Sequence, residues 1–569
     1  MSRLKRLVLI RHSFLSVAKG LVMQNDLATL AVAIMFGVVV ALDHGVTQAT
    51  WTYDTTTQYL DNGYVKVGLD ITKGGAIAYL AAAMNPGEFG SNMVNNFDLG
   101  RQVQTSLYGG PFPYNPSYVG KIGGDQVNCP WNPNQAGDAF DNASPIDYIS
   151  HSETTLYVRS WPENWALDDE LNYYTQDCNR PAFDPNNTTK MESIVSLEPN
   201  NPLMINVHNR LTVKRNDPVY YGTIGSTDKS PLSTSRWGQG NACVYLNKGY
   251  DLLYTYNGGA PFSNGALAQM EYHAGTDYRA SEGWSAFVDG TTGRGVGLVS
   301  PGNLYHGAYG DDSGSTGETG WAYRYLAAKS YEIMDNHITY DFDYKLVLGT
   351  VTDVRTAAYQ IHQNEVSTGT HLPNYIFDKD HGRSHWTSVN DFYNRLPDDD
   401  YDYMTVFGGI HSDTQLLGPE CCFSSFDVDT IYIRARYFSK GSDTGELYWA
   451  SDNSPLYDQN NFDEDHAYSF NIINDGEWHT YALDMASLRW AGQSPGPWYG
   501  NVSRLRFDPV SSWDYLMDIQ FITTNYGVAS SYGAIALAPE LYSVPEPSAI
   551  ICLLSGALGL SAYLWKRNR

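Results

Sequence analysis

Several groups of residues carry side chains suited to holding or attacking a polar ligand. The densest is Asn95-Asn-Phe-Asp-Leu-Gly-Arg-Gln-Val-Gln-Thr-Ser-Leu-Tyr108. Asp98, Arg101, Gln104 and Tyr108 are planar donors and acceptors beside an aromatic ring, the set a sugar site uses. If the chain runs extended after Gly100, Arg101, Val103 and Thr105 share one face, and Gln102, Gln104 and Ser106 the other. The competing reading is a loop whose polar groups satisfy its own backbone. A second group is His208 with Arg210, and a third is Glu271-Tyr-His273. A histidine and a carboxylate meeting across a sheet act as base and acid on a sugar, and an arginine neutralises a uronate in a lyase-type reaction. His208, Glu271 and His273 are therefore the catalytic candidates. Against them stands the plain reading of His208 as an outward strand residue, and of Glu271 and His273 as loop residues. Tyr157, Arg159, Trp161 and Arg210 complete the ligand-binding candidates, and Glu282 with Trp284 forms a similar acid–aromatic pair.

Metal chemistry is less well supported. His381 and His385 stand four apart, as zinc ligands on a helix do. Gly382 and the following Trp386-Thr387 oppose a helix, and no third ligand is evident. No metal ligand and no cofactor is assigned. Calcium in the Asp- and Asn-rich loops is the cation that suits the composition, without a specified ligand set.

The elements that must position these residues are mostly strands. Met204-Ile-Asn-Val-His-Asn-Arg-Leu-Thr-Val-Lys214 alternates clearly. Ile205, Val207, Asn209, Leu211 and Val213 face one way, and Asn206, His208, Arg210, Thr212 and Lys214 the other. In Thr155–Trp161, Leu156 and Val158 oppose Thr155, Tyr157, Arg159 and Trp161. The segments 64–70, 76–83, 284–289, 294–299 and 344–349 continue the pattern, and the spacing predicts a helix over 352–364. A large β domain is expected over 50–360, a polar connecting segment over 361–415, and a second β domain over 416–541. The expected fold class is all-β.

The ends read differently. Arg3, Lys5, Arg6, Arg11 and Lys19 precede an apolar run, Leu27–Leu42. A basic stretch followed by an apolar one is a secretion signal, with Thr47-Gln-Ala49 as a cleavage site. An uncleaved N-terminal anchor over 1–49 is the alternative. At the other end, Ser548–Trp565 holds no Asp, Glu, Lys or Arg. It is long enough to span a bilayer as a helix. Lys566, Arg567 and Arg569 follow, and positive charge beside a span favours the cytoplasmic side. The absence of a polar face opposes the alternative of a buried C-terminal helix.

Pro545-Glu546-Pro547, the apolar run and the closing bases Lys566, Arg567 and Arg569 together resemble the PEP-CTERM sorting signal, here over 545–569. That resemblance implies an exosortase-type processing enzyme and the secretion translocon as partners. It also implies temporary membrane anchoring through a helix at 548–565, then release to the cell surface or beyond. Within the second β domain, Gly476-Glu-Trp478, Trp490-Ala-Gly492 and Arg504-Leu-Arg-Phe-Asp-Pro509 resemble jelly-roll β-sandwiches of the carbohydrate-binding-module type. The first domain, by length and strand density, resembles the β-supersandwich of galactose mutarotases and several polysaccharide-acting enzymes.

Composition narrows the function classes. The formal charge is −26, and the bases cluster at the two ends, so the body is more acidic still. Nucleic acid, which needs clustered Lys and Arg to displace counterions, is excluded as a partner. The 43 Tyr, 14 Trp and 52 Gly suit a turn-rich β protein with wet, half-buried faces. Of six cysteines, Cys552 lies in the apolar tail, and Cys129 with Cys178 is the favoured pair in a compartment that permits disulfides. The expected function is polysaccharide binding by an exported surface protein. A lyase or glycoside hydrolase and a structural matrix protein are the alternatives.

Overall fold

The structure, a computed structural model, describes residues 49–107, 119–122, 125–128, 133–139, 141–165, 189–212, 237–258, 260–273, 275–332, 339–378, 381, 384, 386–389, 392–395, 402–408, 415–438, 444–451, 462, 466–489, 496–510, 515–533 and 535–537. The proposed N-terminal signal, the Cys129–Cys178 pair, Tyr108, His385, Trp490–Gly492 and the whole sorting tail lie outside these residues. Among the described residues, no helix is long and apolar enough to cross a membrane.

The fold is all-β, built from large antiparallel sheets. A twelve-stranded sheet includes, in spatial order, Thr57–Asp61, Val65–Asp70, Ala76–Asn85, Val103–Ser106, Trp237–Asn247, Tyr323–Glu332, Tyr305–Asp311 and Thr276–Arg279. A nine-stranded sheet runs Ile146–His151, Thr155–Ser160, Lys190–Leu197, Met204–Thr212, Thr339–Thr350, Arg294–Val299, Trp284–Val288, Leu252–Thr255 and Ala268–Met270. Alternation dictates their packing. Leu60, Val67, Leu80, Val244 and Leu326 of the first sheet meet Leu156, Val158, Val207, Leu298 and Leu346 of the second in one apolar core. Every second residue must therefore face away from that core, on opposite sides of the sandwich. Met204–Thr212 follows the expected alternation, with Ile205, Val207, Asn209 and Leu211 buried.

One helix, α1 (Val351–Thr368), covers part of the outer face of the nine-stranded sheet. Thr350 and Asp353 form a reciprocal capping box at its start, and Gly369 ends it in the left-handed region at φ 73°. Val354, Ala357 and Ala358, one stripe of the helix, pack on Trp284, Ala286, Val288 and Val347. Strand Trp284–Val288 is consequently buried on both faces. Gly297 permits this approach, because a Cβ there would lie 2.4 Å from the Val354 methyls.

A buried ion pair ties α1 to the sheet. Arg355 Nε and Nη2 donate to Glu282 Oε2 and Oε1 at 3.0 and 2.8 Å. Trp284 Nε1 adds a third donor at 2.9 Å, Tyr359 Oη a fourth at 3.0 Å, and the Phe262 amide a fifth at 3.0 Å. The Glu282 side chain is fully buried, so these donors replace its water. The acid–aromatic pair Glu282–Trp284 is thus an interior joint between strand, loop and helix.

The remaining strands make a second pair of sheets around a separate core containing Trp386, Trp449, Trp498, Tyr437 and Phe507. A seven-stranded sheet holds Met404–Gly408, Leu516–Thr523, Thr430–Phe438 and His479–Asp484, and a five-stranded one holds Gln415–Ser424, Asn501–Asp508, Thr444–Ser451 and Ala467–Asn471. The stretch read as a connecting segment, 361–415, is not merely a connection. It contains the end of α1 and the strands Asn374–Ile376, Thr387–Val389, Phe392–Arg395 and Met404–Gly408, all paired into these two sheets. Three to five residues each, they are too short to show a period in the sequence. A short hairpin of Val119–Ile122 and Asp125–Asn128 stands apart.

Breaking the buried pair from one side strands a charge, which costs about 3–5 kcal/mol. Glu282→Ala or Arg355→Ala is expected to lower the thermal midpoint by clearly more than the double replacement Glu282→Leu/Arg355→Met, read by differential scanning calorimetry. Equal losses in all three would show that no charge is stranded.

Candidate functional face

The segment Asn92–Arg101 is pinned before it reaches the sheet. Asn92 Oδ1 accepts from the amides of Leu80 and Val94, and its Nδ2 donates to Ala78 O and Glu318 Oε1. Asn95 Nδ2 bonds Gly320 O, and Asn96 Nδ2 bonds Glu318 Oε1. The asparagines thus clamp this segment to the loop 318–322, which sets Arg101 beside Trp321. Asp98 Oδ1 accepts the Gly100 amide at 2.8 Å and its Oδ2 lies 3.3 Å from Arg101 Nε. Burial raises the pKa of Asp98, against the pull of Arg101.

Arg101 sits in a cage of rings. Its guanidinium carbon lies 4.8 Å from the Phe97 ring centre, 4.6 Å from Trp321 and 4.3 Å from Tyr323. Its Nη1 donates to Trp321 O at 2.6 Å. Phe97 and Trp321 meet edge to face at 5.1 Å, and Trp321 Nε1 donates to Asp311 Oδ2 at 3.2 Å. From here a row of tyrosines crosses three strands. Tyr245, Tyr325 and Tyr309 are direct cross-strand partners, and Tyr323 lies 5.4 Å from Tyr245 and 5.9 Å from Tyr309. All face away from the shared core, because their neighbours Val244, Leu326 and Ala308 enter it. Burial pushes the Tyr323 phenol up to about 12, so it stays a neutral donor. Phe97, Tyr309 and Trp321 keep 42%, 37% and 44% of their surface exposed. Aromatic rings presented together on a rigid sheet are an anomaly for water and a platform for a ligand with an apolar side.

The adjoining Asp311-Asp312 turn brings a further candidate to this rim. Asp312 Oδ1 accepts from Arg324 Nη2 at 2.6 Å, and its Oδ2 lies 3.6 Å from His273 Nδ1. The His273 ring lies 4.2 Å from that of Tyr272, and Glu271 is exposed beside it.

Other candidates fall elsewhere. Gln104 is wholly interior: its Oε1 accepts the Ala136 amide and its Nε2 donates to Leu99 O. Arg101 and Gln104 are therefore separated, one beneath the rings and one serving backbone groups. His208 and Arg210 lie on the opposite side of the sandwich, on the outer face of the nine-stranded sheet. There Arg210 forks onto Asp341 at 2.8 and 3.0 Å, and His208 Nδ1 lies 3.1 Å from Asp343 Oδ1. That hydrogen bond raises the His208 pKa. Arg159 forks onto Asp147 at 2.8 and 2.9 Å, and Tyr157 Oη donates to Glu192 Oε1 at 2.6 Å. Burial, with that bond second, lifts the Tyr157 phenol to about 12. Cross-strand register lines up Arg159, Glu192, Arg210 and Asp341, so the row neutralises itself. Exposed pairs of this kind contribute about 0.2–1 kcal/mol each, so they tune the surface without holding the fold. Trp161 does not join that face; it follows the strand's end and is buried.

Among the described residues, no group of three or more His, Cys, Asp or Glu is arranged to hold a metal. His381 Nδ1 instead lies 2.6 Å from Asp378 Oδ1. Cys243 is a free, buried thiol, and Cys421 is buried. Sequence reasoning missed Phe97, Tyr245, Tyr309, Trp321, Tyr323 and Tyr325. The available signal was the two-residue spacing of Trp321, Tyr323 and Tyr325.

No family model matches the chain. No curated protein matches it either. Similar solved structures include a xanthan lyase of Paenibacillus, 8% identical, covering 84% of this chain and 52% of its own, at a TM-score of 0.27. A 4-alpha-glucanotransferase of Thermococcus litoralis is 9% identical over 54% of this chain and 40% of its own, at 0.26. The family 11 carbohydrate-binding module of a cellulosomal cellulase of Clostridium thermocellum is 12% identical over 27% of this chain and 94% of its own, at 0.19. The functional reading therefore rests on this chain's own residues.

A lysine cannot both donate to Trp321 O and spread over three rings. Arg101→Lys is expected to lower stability by roughly 1–2 kcal/mol, the scale of a partly desolvated cation–π contact. Denaturant unfolding measures this. The fold, read by far-ultraviolet circular dichroism, should persist while near-ultraviolet aromatic signals change. An unchanged near-ultraviolet spectrum would mean that the cage does not order the rings.

Proposed function

We propose that this protein is exported and binds polysaccharide on the aromatic outer face of the twelve-stranded sheet. The carrying observation is that Phe97 and Trp321 stay exposed against the fixed Arg101 guanidinium, and that Tyr323, also on it, continues the row to the exposed Tyr309. A pyranose offers an apolar C–H side to such rings, and its hydroxyl edge suits Asp98, Asp311, Glu318 and His273 around them. The rings are held by strands and by Arg101, so little conformational freedom is lost on binding.

In this reading the first sandwich is supersandwich-like and carries the glycan, while the second is a jelly-roll-like module of the carbohydrate-binding type. The 545–569 tail, with Pro545-Glu546-Pro547 and the bases Lys566, Arg567 and Arg569, is the exosortase address. It holds the protein to the membrane through 548–565 until processing delivers it to the cell surface or beyond.

A catalytic reading attaches to one observation. Asp98 stands beside the caged arginine with its pKa raised by burial, as a general acid requires. Lyase or hydrolase action would then proceed at this face with His273 on its rim, and His208 would have no part in it.

A polysaccharide array read for retention and for new reducing or unsaturated ends tests both readings. The full chain should be retained on at least one glycan, and Trp321→Ala or Phe97→Ala should weaken retention about tenfold, or roughly 1.4 kcal/mol. Retention that survives both replacements would place binding elsewhere. Product formation abolished by Asp98→Asn would move the protein from binder to enzyme.

A further inference from the structure

A cavity of 520 Å³ lies where the end of α1 meets the second pair of sheets. Pro301 and Gly302 line it from the first sandwich, Glu365 and His371 from the helix end and the turn after it, and Asn374 and Asn525 from the second. Its size falls within the range of small-molecule sites, and it is separate from the aromatic face.

The left-handed Gly369 reverses the chain so that residues after the helix return to its last carbonyls. The Thr370 amide donates to Glu365 O at 3.1 Å, and His371 Nδ1 lies 3.0 Å from the same oxygen. A carbonyl only accepts, so Nδ1 carries a proton and donates to it; in that tautomer of the uncharged ring Nε2 offers a lone pair. The His371 side chain is 5% exposed, yet Nε2 has no hydrogen-bond partner. Asp427 Oδ2 stands 3.7 Å away, beyond hydrogen-bond reach. A buried polar atom left unmatched costs about 1–3 kcal/mol, which a ligand hydroxyl would relieve.

The other polar groups complement it. Asn374 Oδ1 accepts from Thr523 Oγ1 at 2.7 Å, and Asn525 Oδ1 caps α2 (Tyr526–Ser531) by accepting the Gly527 and Val528 amides at 2.8 and 3.2 Å. With both oxygens engaged, the two Nδ2 groups remain as donors. The Glu365 carboxyl, whose pKa burial raises, supplies a further acceptor or donor. Leu372, Pro373 and Tyr375 add apolar wall.

We propose that this cavity is a second ligand site, for a small neutral polyhydroxylated molecule of one or two sugar rings. Hydroxyls both donate and accept, which matches an acceptor nitrogen, two amide donors and a carboxyl in one cavity. An anion would face the Glu365 carboxyl, with no lysine or arginine in the lining to meet it. A bare cation would face two amide donors. This site takes a free sugar rather than a long chain, and it does not depend on glycan binding at the aromatic face.

Calorimetric titration of the full chain with glucose, galactose, mannose, xylose and cellobiose tests the proposal. Wild type and Trp321→Ala should bind at least one of them with equal affinity. Glu365→Gln/His371→Leu should weaken that binding at least about tenfold, the scale of one or two lost hydrogen bonds. Should the double variant fail to fold, Asn374→Ala at the exposed cavity edge decides, with a loss of several-fold expected. No saccharide bound, binding lost in Trp321→Ala, binding indifferent to the cavity variants, or heat only from tetramethylammonium or calcium would each overturn it. Because Trp321→Ala removes the aromatic platform alone, failure of the two sites is told apart.

Discussion

Two sheets that share one apolar core leave every second residue with nowhere to go but outward, and both working faces of the first sandwich follow from that constraint. Leu, Val and Ile from the twelve- and nine-stranded sheets fill the space between them, burying apolar area at roughly 25 cal/mol per Å². The intervening positions are free of that duty. On the nine-stranded sheet they hold alternating charges that cancel along the register, from Asp147 through Arg159 to Arg210 and Asp341. On the twelve-stranded sheet they hold rings. The same periodicity yields a solvated surface on one side and a sticky one on the other.

Exposed rings need a reason to remain ordered in water, and Arg101 provides it. Its planar cation touches three rings while one nitrogen is fixed by Trp321 O. The clamp of Asn92, Asn95 and Asn96 on the 318–322 loop holds both sides of that contact. Helix α1 plays a comparable part on the opposite sheet, where Glu282 and Arg355 draw strand, loop and helix into one joint. Burial of that pair costs desolvation, which five donors on one carboxylate offset. Each sheet is thus finished on its outer face by a different device, one aromatic and one helical.

Local alternation was legible in the sequence, and so was the β class. Met204–Thr212 read correctly because one of its faces must be apolar, and Trp284–Val288 and Arg294–Val299, buried on both faces, because they are short runs of mostly apolar residues. Helix α1 showed in its spacing over 352–364, inside its observed bounds of Val351–Thr368. Residues 374–408 did not read as strands, because pieces of three to five residues are too short to show a period. Arg101 was visible as a candidate, but its cage was not. Trp321 and Tyr323 reach it only when the fold lays the 318–322 loop and the strand after it beside Arg101, more than two hundred residues away in sequence. Gln104 looked equally available, yet its amide serves Ala136 and Leu99, partners that only the folded chain brings near. Whether His208 and Arg101 share a face depends on which sheet each strand joins, a matter of topology that no local pattern encodes.

The most direct test of glycan binding at the aromatic face is carbene footprinting of the full chain with and without a retained polysaccharide. The account predicts protection concentrated at Phe97, Tyr309 and Trp321, with the Arg159–Arg210 face labelled equally in both states. Protection centred on His208 and Arg210, or none at the three rings, would contradict it.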